Sequence, residues 1–271
     1  MSDRDSVTVA IVGAGEMGAA VGRRLRTSGV RVVTSIANRS AESVARVREA
    51  GLETVTDDDS LVRDANFVLS IVPPGVAVEV AEQFRGPLSR SHSKPAFVEC
   101  NAISPATCRR IRDILDPITF IDAGIIGGPP VAGTQDPAKG PRFYGSGADA
   151  HLLMRLASFG LDVALLDGPI GAASGLKLSY AGLTKGFTAL CATMLGAAER
   201  EGLADALRAE LARTQPSFLA RIDRAIPDMR PKAYRWVAEM RQIAEFVGSP
   251  ENGATIYEGA AILYQQIARS T

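Results

Sequence analysis

The sequence predicts an α/β domain with a doubly wound, mostly parallel sheet, followed by an all-α domain. Short apolar runs alternate with helical periodicity up to Gly168, the β pattern stops there, and one long apolar helix follows. Strands that alternate with helices are typical of a parallel sheet with helices on its faces. A chain of 271 residues is long enough for two domains. We therefore predict a first domain at 1–168 and an all-helical second domain at 169–271, joined through a long interdomain helix.

The first domain contains seven predicted strands. Apolar runs place them at 7–12, 31–37, 66–72, 96–100, 118–122, 142–146 and 162–166. Helical periodicity predicts helices at 41–50, 76–84, 104–115 and 150–159. Three successive acids at 57–59 precede a further short helical segment, where carboxylates favour the start of a helix.

The second domain begins with the longest predicted helix, at 170–200. Its first 29 residues, 170–198, contain only two charged groups, Lys177 and Lys185, and would span about 43 Å as a helix. That length is enough to pass from one domain to the next. Further helices are predicted at 203–213, 216–225, 231–246 and 252–268, separated by proline and glycine.

The first strand leads directly into a glycine motif, GAGEMG. Gly13 allows a tight turn, Gly15 lets a pyrophosphate approach the backbone, and Gly18 lets the helix pack closely on the strand. The helix N-terminus supplies free N–H donors and positive potential. A glycine-rich turn in another α/β domain is the alternative. We predict a Rossmann-type domain in which a dinucleotide contacts Gly13, Ala14, Gly15, Glu16, Met17 and Gly18.

The residues after the second strand predict which dinucleotide binds. NAD-specific domains usually place Asp or Glu there, to accept a hydrogen bond from the ribose 2′-hydroxyl. This chain has Asn38, Arg39 and Ser40 instead. A guanidinium pairs with a 2′-phosphate and stacks on adenine, whereas a carboxylate would repel that phosphate. The alternative is an ordinary solvated arginine. We expect NADP(H) to be preferred over NAD(H).

Two glycine- and proline-rich loops follow other strands of the sheet. Val72, Pro73 and Pro74 follow the strand at 66–72, and a proline ridge suits the face of a nicotinamide, although a stiff turn would look the same. The segment DAGIIGGPP at 122–130 is a second such loop. Ligands of doubly wound sheets bind outside the carboxyl ends of the strands. Both loops are therefore candidate parts of the site.

The long helix carries a candidate proton-transfer group. Helical spacing places Lys177, Tyr180, Ala181 and Thr184 on one face. An apolar environment disfavours the charged form of a lysine and so lowers its pKa toward the range useful for proton transfer. The alternative is that Lys177 extends to solvent from a mostly buried helix.

Composition excludes several functional classes. Lys plus Arg and Asp plus Glu both number 30, so no basic excess predicts nucleic-acid binding. We expect no signal peptide, no bilayer span and no membrane partner. The three cysteines lack metal or CxxC spacing and suit a reducing compartment, which predicts a cytoplasmic protein without a metal. His92 and His151 have no partner pattern and are expected to be structural or solvated.

Together these motifs resemble the β-hydroxyacid dehydrogenase superfamily, which includes 6-phosphogluconate dehydrogenase and the imine reductases. GAGEMG with NRS resembles its cofactor half, DAGIIGG its substrate loop, and GLKLSYAG its lysine helix. PRFYGSG, KLSYAGLTKGFTAL and KAYRWVAEM are similar to a branch with a phosphogluconate dehydrogenase-type helical C-terminal domain. The likeness covers nearly the whole chain. It is specific for fold and branch, and says little about substrate.

The resemblance implies roles for individual residues. Lys177 falls on the family's general acid/base, Tyr180 and Ala181 on its paired asparagines, and Ile126 on its substrate-loop serine. Losing those amides and that hydroxyl disfavours a small hydroxyacid and favours a bulkier or less polar substrate, with Tyr180 as a possible donor. Asn101 falls on a polar residue that faces cofactor or substrate. Substrate contacts are expected at Ile126, Gly127, Gly128, Thr184 and Trp236.

We therefore expect an NADP(H)-dependent oxidoreductase that transfers hydride to or from a hydroxy-acid or hydroxy-carbonyl substrate. The family also implies a homodimer. Trp236 is expected to pack between helices, and the alternative is that it closes the pocket, from its own or from a neighbouring subunit. Lys185 either lines the same cleft as Lys177 or pairs with a carboxylate at the interface. An imine reductase or reductive aminase is one alternative function, and a non-catalytic NADPH sensor is another.

Overall fold

The computed structural model describes residues 7–37 and 39–270. The chain divides into two compact units, Met1–Lys177 and Leu178–Thr271. The first unit is an α/β domain with a single sheet, and the second is entirely helical. The predicted fold class is thus confirmed.

The first unit is built on an eight-stranded sheet in the order β3-β2-β1-β4-β5-β6-β7-β8. Neighbouring strands run parallel to each other, except that β7 runs antiparallel to β6. The strands are β1 Thr8–Val12, β2 Arg31–Ser35, β3 Glu53–Val55, β4 Phe67–Ser70, β5 Ala96–Glu99, β6 Phe120–Ile126, β7 Arg142–Ser146 and β8 Asp162–Leu165. The order reverses between β1 and β4, where doubly wound sheets bind their ligands.

Alternating side chains of the central strands supply two cores, one on each face of the sheet. Val9 and Ile11 face one core with Leu69, whereas Ala10 and Val68 face the other. All five are fully buried. Burial on both faces explains why these strands are continuous apolar runs rather than alternating ones.

Helices cover both faces of the sheet. In this unit they are α1 Glu16–Thr27, α2 Ala41–Ala50, α3 Asp58–Val62, α4 Ala77–Arg90, α5 Pro105–Leu115 and α6 Met154–Ala157. Three begin with a side-chain cap, in which Ser40, Asp57 and Ser104 accept from backbone N–H groups of α2, α3 and α5. The capping role predicted for the acids at 57–59 is confirmed for Asp57.

Several predicted boundaries were wrong. The three-residue strand β3 was not predicted, because an edge strand with exposed Glu53 and Thr54 carries no apolar run. The segment 150–159 contains a four-residue 3₁₀ turn, Ala150–Leu153, and the four-residue α6 instead of one continuous helix. The loop predicted to start at Asp122 starts later, since β6 continues to Ile126, where it still pairs with Arg142 of β7.

The long helix, α7 Ala172–Arg200, begins in the first unit and continues into the second. It is followed by α8 Ala204–Thr214, α9 Pro216–Met229, α10 Ala233–Val247 and α11 Ala254–Arg269. The core of the second unit contains the fully buried Tyr264, Met240 and Met229. In the described part of the chain, no helix is both long and apolar enough to cross a membrane.

Candidate active site

The loop between β1 and α1 gives each glycine of the motif a different role. A Cβ on Gly13, whose φ is +90°, would lie 2.3 Å from the Ile71 carbonyl oxygen, and one on Gly18 would lie 2.3 Å from the Gly13 carbonyl oxygen. Backbone atoms therefore leave no room for a side chain at Gly13 or Gly18. A Cβ on Gly15 would meet nothing within 4 Å. The open space is therefore at the one glycine that a pyrophosphate must approach.

The start of α1 lacks the cap that α2, α3 and α5 have. Gly15 is the N-cap residue and has no side chain to accept from the first N–H groups. Such uncapped N–H groups, together with the helix dipole, form an anion site. Ala14 is buried, Met17 is half-buried against the core, and Glu16 is exposed. The loop thus fits a dinucleotide pyrophosphate bound mainly through the backbone.

The residues after β2 lie at the same edge of the sheet. Asn38 is outside the described residues. Arg39 is exposed, and no carboxylate within the described ranges forms an ion pair with it. The Ser40 hydroxyl is engaged in capping, since it accepts from Ser43 N at 3.3 Å and bonds to the Ser43 hydroxyl at 3.1 Å. Arg39 is the more available group for a 2′-phosphate.

Asn101 connects the end of β5 to the loop at Val72, Pro73 and Pro74. Its side-chain oxygen accepts from Val72 N at 2.6 Å, and its side-chain nitrogen donates to Ser70 Oγ at 3.0 Å. Asn101 is buried, whereas Pro73 is exposed. Both ends of the amide are therefore used to fix the loop, which leaves the prolines as the surface that faces outward.

A long-range cap holds the start of α7 against the sheet. The carboxylate of Asp122, fully buried on β6, accepts from the backbone N–H groups of Gly171, Ala173 and Ser174 at 2.8, 3.0 and 3.2 Å. It also accepts from the hydroxyls of Ser174 at 2.6 Å and Ser146 at 2.8 Å. These five bonds satisfy the buried charge and fix the helix origin.

The cap fixes the position of Lys177, which is half-buried in the first turns of α7. Lys177 Nζ donates to the Ile125 carbonyl oxygen at 2.6 Å. A Cβ on Gly124 would lie 2.7 Å from the Ala173 carbonyl oxygen and 3.2 Å from Lys177 Cβ, so the absent side chain allows this close approach. The lysine ammonium group therefore lies at the carboxyl end of β6.

The predicted substrate loop follows directly. Ile126 is half-buried at the end of β6, and Gly127 and Gly128 are exposed. Gly127 has φ of +126°, a left-handed conformation that favours glycine, whereas a Cβ on Gly128 would meet open space. The loop is therefore confined by Pro141 at Gly127 and open at Gly128.

The remaining predicted site residues lie in the second unit. Tyr180 is 51% exposed, and the Thr184 hydroxyl donates back to the Tyr180 carbonyl oxygen at 2.9 Å. Trp236 packs edge-on against Tyr264, with ring centroids 5.2 Å apart, and Lys185 Nζ lies 5.0 Å from the Trp236 ring. Their predicted contacts with substrate stay predictions.

Lys185 forms an ion pair with the buried Glu239, one of the two alternatives that its position left open. The Tyr264 hydroxyl donates to the Lys185 carbonyl oxygen at 2.5 Å. Burial, reinforced by Glu239, raises the pKa of Tyr264. This cluster packs three elements of the second unit together.

Sequence reasoning missed the roles of Asp122, Gly124 and Glu99. Asp122 is predicted only as the start of a loop, because the N–H groups that it caps lie 49 to 52 residues further along the chain and no local pattern marks the contact. Glu99 at the end of β5 is fully buried, and burial raises the pKa of its carboxyl to about 8. Within residues 7–37 and 39–270, no cluster of three His, Cys, Asp or Glu could hold a metal ion.

Two family models match this chain, one in each of its two units. Residues 8–140 match the NAD binding domain of 6-phosphogluconate dehydrogenase, and residues 198–267 match a domain of unknown function. A 28.5 kDa uncharacterized protein of Methanothermus fervidus is 26% identical over 207 residues, which cover 76% of this chain and 77% of the relative.

Two solved structures extend the likeness to nearly the whole chain. A conserved protein of unknown function, described as structurally similar to 3-hydroxyacid dehydrogenases, is 28% identical with a TM-score of 0.68, covering 96% of this chain and 99% of that one. The 3-hydroxyisobutyrate dehydrogenase of Mycobacterium tuberculosis is 18% identical with a TM-score of 0.72, covering 97% and 94%. At 18% identity, the likeness to the second structure shows that the two chains share a fold and no more than that.

The Asp122 cap predicts a specific stability loss. Replacing Asp122 by Asn keeps the shape but removes the charge that receives five hydrogen bonds, so the free energy of unfolding should fall by about 2 kcal/mol. Guanidinium titration measures this loss, with Asp167→Asn, at an exposed position, as the matched control. Equal stability of D122N and D167N would contradict the capping role.

Proposed function

We propose that this chain, which belongs to the β-hydroxyacid dehydrogenase superfamily and has an NAD(P)-binding first domain, is an NADP(H)-dependent oxidoreductase. Lys177 serves as its general acid and base. One observation carries the proposal: Asp122 and Gly124 hold α7 so that Lys177 Nζ bonds to the Ile125 carbonyl oxygen. The Ile125 carbonyl oxygen lies at the carboxyl edge of the sheet, and so do the glycine loop and the Val72–Pro74 loop.

We assign the cofactor contacts to groups at this edge. The uncapped N–H groups at Gly15 would hold the pyrophosphate, Arg39 the 2′-phosphate, and the ridge of Pro73 and Pro74 the nicotinamide. The bound nicotinamide supplies or accepts the hydride. Asn101 keeps the proline ridge in place through Val72. Holding both reactants in line contributes more to such a reaction than any single contact.

Lys177 moves the proton that accompanies the hydride. In oxidation, neutral Nζ accepts the proton of the substrate hydroxyl as the C–H hydride leaves, and in reduction the ammonium returns it to the carbonyl oxygen. The Ile125 carbonyl oxygen accepts one N–H throughout and orients the others. A well-placed general acid or base contributes about 10²–10⁴-fold to the rate.

The substrate proposal follows from side chains that depart from the family pattern. Ile126 offers no hydroxyl, and Ala181 is buried and offers no amide. Tyr180 is half-exposed and presents a phenol. We propose a hydroxy-acid or hydroxy-carbonyl substrate that is bulkier or less polar than a small hydroxyacid, with Gly127, Gly128, Thr184 and Trp236 as further contacts.

Two alternative functions make different use of the same residues. An imine reductase or reductive aminase would use the same cofactor loop, but members of the superfamily with that activity commonly lack the helix lysine that this chain has. A non-catalytic NADPH sensor would account for the altered substrate residues Ile126 and Ala181. The retained Lys177 and its dedicated support by Asp122 favour the dehydrogenase.

A homodimer is supported by one face of α7. Leu183, Leu190 and Met194 are 55–74% exposed. They follow one another at spacings of seven and four residues, which place them on one side of the helix, as in helices that pack against each other. We propose that a second copy covers this face.

The three unpaired, buried cysteines support the proposed cytoplasmic location.

The cofactor assignment predicts a selective effect of Arg39. Replacing it by Ala removes a charged hydrogen bond to the 2′-phosphate, so the Kd for NADPH should rise about 10- to 100-fold while that for NADH stays unchanged. Fluorescence titration of both cofactors measures this. Arg48→Ala, at an exposed position near the end of α2, is the matched control. Wild-type preference for NADH would refute the assignment.

The catalytic assignment predicts that Lys177→Met lowers kcat about 10²–10⁴-fold without a comparable loss of NADPH affinity. Absorbance at the NADPH band, followed against a panel of keto acids, hydroxy acids and imines, gives kcat and the reaction class. The exposed Lys139→Met is the control. Undiminished turnover by K177M would overturn the role of Lys177, and NADPH binding without turnover of any panel member would favour the sensor.

A further inference from the structure

Glu99 is a buried acid that the proposed mechanism does not use. It ends β5, pairs in register with Ser70 of β4 and Asp122 of β6, and is 0% exposed. Its Oε1 accepts from the backbone N–H of Asn101 at 2.8 Å. Its Oε2 is the one buried side-chain oxygen or nitrogen of the described residues that has no hydrogen-bond partner. A carboxylate with an unpaired buried oxygen is costly, so the neutral acid is favoured.

The surroundings of Glu99 oppose a second negative charge. Asp122 is its direct neighbour on β6 and receives five hydrogen bonds, which serve the charge of Asp122 alone. Two adjacent carboxyl groups in a dry site do not both ionise readily. The other titratable groups around this site are the thiols of Cys100 and of Cys108 on α5, whose pKa values burial raises, and Lys177 on α7, whose charge acts on Cys100.

Glu99 is connected to the proposed nicotinamide surface by a short chain of bonds. The turn that Glu99 closes carries Asn101, whose side-chain oxygen accepts from Val72 N at 2.6 Å. Val72 is followed by the two prolines. We propose that Glu99, in its neutral form, is a positioning residue that holds Asn101 and through it the Val72–Pro74 loop in the geometry that binds the nicotinamide. This inference rests on the proposed function.

We therefore expect the affinity for NADPH to fall as the pH rises into the alkaline range. Burial raises the pKa of Glu99 to about 8, so the folded protein loses this proton as the pH rises through that value. The Asn101 N–H by itself favours the anion, but burial of the unpartnered Oε2 and the neighbouring Asp122 oppose it. Ionised Glu99 must therefore recruit water at Oε2 or move away from Asp122, and we expect that movement to shift the Asn101 turn and weaken its bond to Val72 N. The direction is therefore tight NADPH binding below the midpoint and weak binding above it.

The test compares the wild type with Glu99→Gln, which keeps the shape and cannot ionise. From about pH 7 to about pH 9.5 the wild-type Kd for NADPH should rise about fivefold or more, and that of E99Q should stay level. Glu82→Gln, at an exposed position of α4, should follow the wild type. A pH-independent wild-type Kd, or an identical rise in E99Q, would overturn the proposal.

A second readout needs no cofactor. In nitrogen-15 spectra of the free protein, the amide signals of Val72 and Asn101 should titrate together in the wild type and stay fixed in E99Q. Titrating amides without NADPH binding would refute the proposed function while supporting the coupling of Glu99 to the loop. Fixed amides in the wild type would overturn the coupling itself, even where E99Q fails to fold.

The free energy of unfolding reports the protonation state independently. Unfolded Glu99 ionises near its ordinary value of 4.5, whereas folded Glu99 keeps its proton to about 8. Between those values the folded state binds more protons, so stability relative to E99Q should fall as the pH rises and level off above them. A constant difference across that window would show that Glu99 is ionised in the fold.

Discussion

The buried carboxylate of Asp122 is the constraint on which the candidate site depends. It joins a sheet strand to the first turn of the longest helix through three backbone and two hydroxyl hydrogen bonds. Without this cap, the N-terminal turn of α7 would leave its N–H groups unpaired in the protein interior. With it, and with Gly124 allowing close contact, the first turns of α7 lie against β6 and Lys177 Nζ reaches the Ile125 carbonyl oxygen. A charge that is costly to bury thus determines where the proposed proton-transfer group lies.

The same edge of the sheet carries the other parts of the site. The three motif glycines after β1 differ in their surroundings. Backbone atoms exclude a side chain at Gly13 and Gly18, and of the three only Gly15 faces open space. Asn101 holds the proline loop, and Glu99 holds Asn101. Ser70, Glu99, Asp122 and Ser146 form a registered polar row across four strands, all 0% exposed. This buried row supports the strand ends from which the loops leave.

Local patterns predicted the fold well, because they report local physics. The apolar runs mark strands buried on both faces, and the glycine spacing marks the turn into α1. Boundaries set by long-range pairing were out of reach: β6 continues past Asp122 because β7 pairs with it, and β3 carries no apolar signal. In the site, the motif residues were found, but the support by Asp122 and Glu99 depends on strand register and on burial. Neither property can be read from a single segment of sequence.

A crystal structure of the protein with NADPH would test whether Lys177 and the cofactor loops form one site. We expect the pyrophosphate over Gly15, the 2′-phosphate at Arg39, and the nicotinamide against Pro73 and Pro74, on the side that faces Lys177 Nζ. The Asp122 cap should be unchanged in that complex. A nicotinamide turned away from Lys177, or a lysine that leaves Ile125 to pair with an acid outside the site, would rule out Lys177 as the proton-transfer group.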